Sequence, residues 1–341
     1  MNYLIFRNDR IGDFFITAPL IKTIRRSDKN SKITVVCSKK NIEIIKNLDL
    51  IDECLLFENK SLIEKFKFFL KLKKNKFDNI IVADKKNRSL MFNFFLKSKN
   101  KIINVSKRPL YFILKLFYKN VFLDNDNSNQ NVVEILKLNA QCMGYEMIDE
   151  DLEFLKKDEY DVEGEVIDFV KKLDNKIIIH FDEKWELSKY ELHYKKAQNL
   201  TEIKFDNNIL ENFLDRIANK QSSTIIITTG TISVGIINGL INKSEKIKEN
   251  IYKLEIKNKY IYILSKTTFF EMLKLISFSK SFISCHGSFT HIANNYNLKI
   301  LDIIEKEKNK HYKRITSHMK NYNHIYRNDF INISNEIIDL L

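Results

Sequence analysis

Glycine and proline are scarce in this chain, at 7 and 2 of 341 residues. That excludes collagen-like and Gly/Pro-rich low-complexity architectures. It also makes each glycine a position where the backbone has a reason to do without a side chain. Cysteine is scarce as well: Cys37, Cys54, Cys142 and Cys285 are scattered and form neither a CxxC pair nor a zinc-ligand spacing. A reduced compartment fits them better than a disulfide framework. No uninterrupted apolar run approaches the ~18 residues of a membrane span. The first residues enter a strand pattern with no basic-then-apolar leader, so a cytoplasmic protein is expected.

What is present is an ordinary globular composition, 44% hydrophobic and 30% charged, rather than a disordered one. The length exceeds what one core usually holds and predicts two domains. The net charge of +13 is unevenly spread. Residues 60–120 hold seventeen Lys or Arg against Glu64, Asp78 and Asp84, and the rest of the chain is close to neutral. Such asymmetry points to an anionic partner: a membrane surface, a nucleic acid or a phosphorylated substrate.

Strand-like and helix-like segments alternate. "NYLIFR", "KITVVCS", "CLLFE", "FDNIIVAD" and "KIINVS" read as strands. "FFITAPLIKTIRRS", "NIEIIKNL", "SLIEKFKFFLKLKKN" and "SLMFNFFLKS" read as helices between them, and "VVEILKLNAQCMGY" as another after the polar run "DNDNSNQN". The pattern loosens in the acidic stretch near residues 146–175, then restarts. "KIIIHF", "STIIITTG", "NKYIYIL", "SFISCHG" and "KILDII" are strands; "ILENFLDRIANK", "TTFFEMLKLISFS", "FTHIANNYN" and the closing "NISNEIIDLL" are helices. Such β-α alternation predicts parallel sheets covered on both faces, in two Rossmann-like halves.

Five stretches could carry chemistry. In "RNDRIGDFF", Gly12 and Asp13 follow the first strand, where open parallel sheets bind ligands. Asp13 reads locally as a helix N-cap or, alternatively, as a general base; GxGxxG is absent. In "SCHGSFTHIANN", Gly287 and Ser288 open a helix whose amides suit a diphosphate, with His291 in its first turn, where a lone histidine reads as a partly buried packing residue or a capping contact. Cys285 and His286 are adjacent on a strand and therefore point to opposite faces, which weighs against a nucleophile–base pair. "TIIITTGTIS" ends its strand in Thr228, Thr229, Gly230 and Thr231, small enough to line a nucleotide pocket or simply to turn. "HFDEKWEL" places Lys184 beside the sole tryptophan, Trp185, where an ammonium could neutralise phosphate or sit in a solvated loop. "KFKFFLKLKKNKF" and "KRPLYFILKLFYK" interleave lysine with large apolar side chains at helical spacing, as in helices that lie on anionic bilayers or in amphipathic core helices with a basic outer face.

Taken together, these residues resemble glycosyltransferase family 9, the ADP-heptose:lipopolysaccharide heptosyltransferase family. "FRNDRIGDFFITAPLIKTIRR" is similar to its N-terminal signature through Arg10, Ile11, Gly12, Asp13, Pro19 and Arg25. "ISCHGSFTHIANNYNLKILDII" is similar to its C-terminal signature, with His286 where the family usually has Asp. "HFDEKW" and "IIITTG" fall in order where the family has its lysine–tryptophan segment and its nucleotide strand. The resemblance implies a GT-B fold, two Rossmann-like domains facing an interdomain cleft. Residues 1–155 would bind the acceptor and 156–341 the nucleotide-sugar, the last helix being a candidate to pack back on the N-terminal domain.

The resemblance also implies an inverting, metal-independent transfer with no cofactor beyond an ADP-linked or other nucleotide-sugar co-substrate. Asp13 would be the catalytic base, with Arg10 and Gly12 beside it on the acceptor side. Lys184, Thr229, Gly230, Thr231, His286, Gly287, Ser288 and His291 would hold the donor. The acceptor would be a lipopolysaccharide core, glycolipid or oligosaccharide, and residues 60–120 would meet the anionic inner face of the cytoplasmic membrane. The alternatives are a non-catalytic scaffold of the same fold, and a nucleic-acid-binding protein using the basic face. The latter lacks helix-turn-helix, zinc-finger or RRM signatures, so no nucleic acid is expected.

Overall fold

The computed structural model describes residues 1–57, 61–127, 130–155, 162–188, 201–220, 223–230, 232 and 234–341. They form two compact units, Met1–Phe154 with Lys313–His318, and Leu155–Tyr312 with Met319–Leu341.

The first unit runs β1 (Asn2–Phe6), α1 (Ile11–Ser27), β2 (Lys32–Cys37), α2 (Ile42–Ile45), β3 (Glu53–Leu56), α3 (Leu62–Lys74), β4 (Phe77–Val82), α4 (Asn87–Phe95), β5 (Ser98–Val105), α5 (Arg108–Lys115), β6 (Asn120–Leu123) and α6 (Val132–Gln141). The strands pair in parallel in the order β3-β2-β1-β4-β5-β6. The carboxyl halves of the central strands are apolar because both faces are covered: Leu4, Ile5, Phe6, Ile80, Ile81 and Val82 are fully buried. Polar residues set the helix starts. Ser61 with Glu64, and Asn131 with Glu134, form reciprocal capping boxes at α3 and α6. Strand order reverses beside β1: the chain steps outward to β2 and β3, then crosses back to β4. The helices after β1 and after β4 therefore leave on opposite faces, opening a crevice at the carboxyl ends of these strands.

The second unit runs α7 (Glu165–Lys171), β7 (Lys176–Phe181), α8 (Asn207–Lys220), β8 (Thr224–Thr229), α9 (Gly235–Asn242), β9 (Glu245–Lys248), β10 (Ile251–Ile256), β11 (Lys259–Leu264), α10 (Phe269–Ser277), β12 (Ser281–Cys285), α11 (Ser288–Asn295), β13 (Lys299–Ile304), α12 (Asn309–Thr316), β14 (Tyr322–Tyr326) and α13 (Phe330–Leu340). Its sheet order is β14-β13-β12-β7-β8-β11-β10-β9, parallel except that β10 is antiparallel to β11 and β9. The same reversal occurs here, beside β7. The core of one face is aromatic: Trp185 is fully buried, 4.6 Å from Phe181 and 6.3 Å from Phe330, which in turn lies 5.4 Å from Phe213.

Strands β6, β9, β10 and β14 and helices α7 and α12 were not expected from the sequence, α7 falling in the acidic stretch where the pattern loosens. The short β6 merges with the apolar pattern of the helix before it. β9 is exposed at every position, so it carries no alternation to read. Together with β10 it extends the sheet as an antiparallel edge. α12 and β14 are short and strongly polar. Helix α1 begins at Ile11, three residues before the expected Phe14, because Arg10 is extended and takes the N-cap position. The closing helix α13 packs against α8 and β14 within the second unit, where Phe330, Ile333 and Ile337 are fully buried. The late segment that belongs with the first unit is instead Lys313–His318, in which Arg314 ion-pairs with Asp124.

Truncating Phe330→Ala removes a buried ring from this aromatic cluster and is expected to cost about 3–5 kcal/mol. Trp185, the only tryptophan, reports the loss directly as a lower urea midpoint in its fluorescence.

Candidate functional site

In the first unit the crevice beside β1 is an open pocket of about 720 Å³. The segment after β1 supplies Asn8, Asp9, Arg10 and Asp13, the end of β2 supplies Ser38, Lys39 and Lys40, the segment after β4 supplies Lys86 and Arg88, and Phe57 closes one wall. Arg7 organises it from below. Its buried guanidinium donates to the carbonyl oxygens of Ala83 (2.5 Å) and Asp13 (2.8 Å), and lies 3.4 Å from Asp9 Oδ2 and 3.7 Å from Asp13 Oδ1. Arg88 donates to Asn8 Oδ1 (2.6 Å) and lies over the Phe57 ring, while Lys86 Nζ donates to the Asn8 carbonyl (2.7 Å).

Three acids meet here. Asp13 is the open one, its side chain 43% exposed, accepting a long hydrogen bond from the Arg10 amide (3.4 Å). Asp84 is buried, held by Ser89 Oγ (2.6 Å) and the Lys86 amide, and burial pushes its carboxyl above the usual range. Asp9 is raised to about 6, chiefly by burial; Arg7 pulls it down and the charges of Asp13 and Asp84 push it up. The local reading of Asp13 as an N-cap is corrected. It is the third residue of α1, and Gly12 lies inside the first turn rather than in a loop ahead of it. Asp9, Lys39, Lys40, Lys86 and Arg88 were not singled out from the sequence; their signal was position, at the carboxyl ends of the three strands around the reversal.

In the second unit the equivalent crevice lies beside β7. Lys184 follows β7 and extends its ammonium to Asp182 Oδ2 (2.7 Å). Burial tends to lower its proton affinity, but Asp182, through charge and hydrogen bond together, outweighs this and holds the ammonium above its usual range. The same Nζ would lie 2.7 Å from a Cβ built at Gly287, the residue after β12 that precedes α11. Gly287 is extended, with φ −170. A side chain here would displace the lysine ammonium, whereas the extended backbone itself does not call for glycine. Ser288 opens α11, and His291 is buried within it. Arg327 anchors the Lys184 segment, donating to the Lys184 and Thr201 carbonyl oxygens.

His286 is backed by a group the sequence reading missed. Its Nδ1 is 2.6 Å from Asp302 Oδ2 on β13. Asp302 is fully buried and also accepts from Thr290 (3.1 Å) and Tyr322 (2.8 Å). A carboxylate thus stands one layer behind the imidazole. Such a partner fixes the ring orientation, and the rings of His291 and Tyr312 pack against it. Its trace in the sequence was an acid inside the apolar strand "KILDII". Burial pushes the Cys285 thiol up, against the influence of Arg327, so it is a packed thiol rather than a nucleophile. Thr229 spends its hydroxyl on the Lys266 amide (3.1 Å), and Gly230 lies against Asp182. Thr231 is outside the described residues.

No family model matches the sequence, and comparison with curated proteins gives no match. Solved structures do match. The E. coli ADP-heptose lipopolysaccharide heptosyltransferase II superposes with a TM-score of 0.64 at 12% identity, covering 100% of this chain and 97% of that one. The E. coli heptosyltransferase WaaC, solved with ADP, gives 0.63 at 13%, covering 99% and 98%. A family 9 glycosyl transferase from Veillonella parvula DSM 2008 gives 0.60 at 12%, covering 88% and 80%. The chain therefore has the α/β fold of GT-B-like glycosyltransferases such as these.

His180, at the end of β7, generates a pH dependence. Burial lowers its ring to about 4, with Asp182 opposing this and Lys184 adding to it as smaller influences. The unfolded chain takes up this proton near pH 6.5, and the folded one resists until about 4. Stability is therefore complete above pH 6.5 and falls as pH drops toward 4, by about 3 kcal/mol in total. Urea midpoints followed by Trp185 fluorescence should decline between pH 7 and pH 5; His180→Gln should lessen that slope, while His318, which burial also lowers to about 4, keeps a share of it.

Proposed function

We propose that this protein is an inverting glycosyltransferase. It would move a sugar, by default a heptose, from an ADP-linked or other nucleoside-diphosphate sugar to a hydroxyl of a lipopolysaccharide core or related surface-glycan acceptor. The observation that carries this reading is a duplication with different chemistry. Each unit builds a site at its own strand reversal, one lined by carboxyls and cations, the other by a lysine ammonium drawn against a glycine at a helix start. The first suits deprotonation of an acceptor; the second suits a diphosphate. The likeness to heptosyltransferases, one solved with ADP, supports the donor class.

In this reading Asp13 takes the proton of the acceptor hydroxyl as that oxygen bonds to the sugar's anomeric carbon. The bond from that carbon to the diphosphate oxygen breaks, and the electron pair leaves with the nucleotide. Lys184, the opening of α11 through Gly287 and Ser288, His291 and His286 receive the charge. Arg10 and the pocket cations hold the anionic groups of the acceptor. Asp9 is the competing base, because a carboxyl raised to about 6 is well matched to proton abstraction near neutral pH.

Asp13→Asn is expected to lower kcat by roughly 10²–10⁴-fold in transfer assays while thermal unfolding stays close to wild type, and Asp9→Asn to keep measurable transfer. The reverse order would move the base to Asp9, and full activity in both variants would end the proposal. At the donor site, Gly287→Ala displaces Lys184 Nζ without straining the backbone. It should raise the donor KM roughly ten- to a hundredfold, on the order of one lost charge-assisted hydrogen bond, with little change in the urea midpoint.

A further inference from the structure

The basic region does not form one patch. Lys86 and Arg88 turn into the pocket of the first unit, Lys85 and Lys99 pair with Asp124 and Asp78, and the lysines of α3 with the cations on and around α5 accompany an exposed apolar face. Among the described residues sixteen large apolar side chains are exposed, and eleven of them lie on α3, α4, α5 and the turn after α5. Leu62 and Phe66 on α3, Phe94 and Phe95 on α4, and Leu116 and Phe117 after α5 are each 60–82% exposed. The three helices share one face of the sheet, because they carry the successive crossovers β3 to β4, β4 to β5 and β5 to β6 in one direction. Their inner stripes meet in one core: Phe69 of α3 lies 6.3 Å from Phe92 and 6.2 Å from Phe95 of α4, and Leu110 and Leu114 of α5 pack against the same cluster. That core takes little of each helix. α3 buries only Leu72, and α5 buries nothing fully.

The cations are interleaved with the apolar side chains. Lys67, Lys71 and Lys74 on α3, and Arg108, Lys115 and Lys119 on and around α5, are exposed. The single acid of these three helices, Glu64, is engaged at the α3 cap by Ser61. Protein–protein interfaces deplete lysine from their cores. A surface of Phe, Leu and Ile laced with Lys, with almost no acid, is instead the composition of helices that settle into an anionic bilayer.

We propose that α3, α4 and α5 form a monotopic docking face for an anionic lipid bilayer. The apolar side chains enter the headgroup boundary and the lysines meet lipid phosphates. Phe57 joins this face to the pocket, since its ring lines the pocket and packs 4.9 Å from Phe68 of α3 and 5.2 Å from Phe92 of α4. On the glycosyl-transfer reading, a lipid-anchored acceptor would then present its sugar beside Asp13 without leaving the membrane.

The test is flotation of the full chain with phosphatidylcholine vesicles, with and without phosphatidylglycerol, and no donor or acceptor present. Wild type should float with the anionic vesicles, stay behind with the neutral ones, and be released as salt shortens the screening length below about 10 Å. Lys67→Gln/Lys71→Gln/Lys74→Gln should weaken partition roughly a hundredfold, at about tenfold or less per charge. Phe112→Ser/Leu116→Ser/Phe117→Ser should abolish flotation while transfer to a water-soluble acceptor stays within about twofold, since its three positions are exposed and away from the pocket. Equal binding to neutral vesicles, no binding to anionic ones, or unimpaired flotation of either variant overturns the proposal. So does concentration-dependent self-association in lipid-free buffer that the apolar variant removes, which would assign the face to a second copy. The flotation readout is independent of catalysis, so its failure and a failure of the transfer reading are separable.

Discussion

The constraint on which both halves depend is the reversal of strand order beside their first strand. β1 lies between β2 and β4, and β7 between β8 and β12, so consecutive crossovers leave on opposite faces and cannot close over the strand ends. Each reversal leaves an open place where backbone amides, helix starts and loop side chains converge. Everything chemically notable in this chain is attached to those places: Asp9, Asp13, Lys86 and Arg88 in the first unit, Lys184, His286 and Gly287 in the second.

What fills the two crevices differs through charge held by buried partners. In the first unit, one guanidinium, Arg7, ties the end of β4 to the start of α1 and stands within reach of two carboxyls. It keeps like charges together that would otherwise repel, and burial then lifts the deepest of them, Asp84 and Asp9, toward their neutral forms. In the second unit the order is inverted. Asp182 holds Lys184 charged, and Arg327 holds the backbone beneath it. Behind His286 stands a negative group, Asp302, fully buried and triply hydrogen-bonded. A carboxylate so satisfied is stable where it is and can orient the imidazole in front of it.

The two faces of the first unit's sheet are covered differently. Its α1 and α6 face of the sheet is packed conventionally, with Phe15, Leu20, Ile21 and Ile135 buried. Its α3, α4 and α5 face leaves phenylalanine and leucine in the open among lysines. Helices whose inner stripe is this narrow gain little from the core; their outer residues have a use only if something other than water meets them.

The sequence by itself determined the alternation of strands and helices, the parallel sheets, the glycine-and-acid segment after the first strand, and the Lys184 and Gly287 segments, because periodicity and strand-end position are local properties. It also announced the basic surplus of residues 60–120. It could not separate those cations into pocket and outer face, since that division depends on which strand each follows. β9 and α12 escaped notice because an exposed edge strand and a polar helix carry no buried stripe. Only the tertiary structure decided that Asp13 is the third residue of a helix, that the Lys184 ammonium lies against Gly287, and that Asp302 stands behind His286. Those facts are contacts between β7, β12 and β13, or between β1 and β4, and no local pattern encodes the distance between strands that only the folded sheet brings side by side.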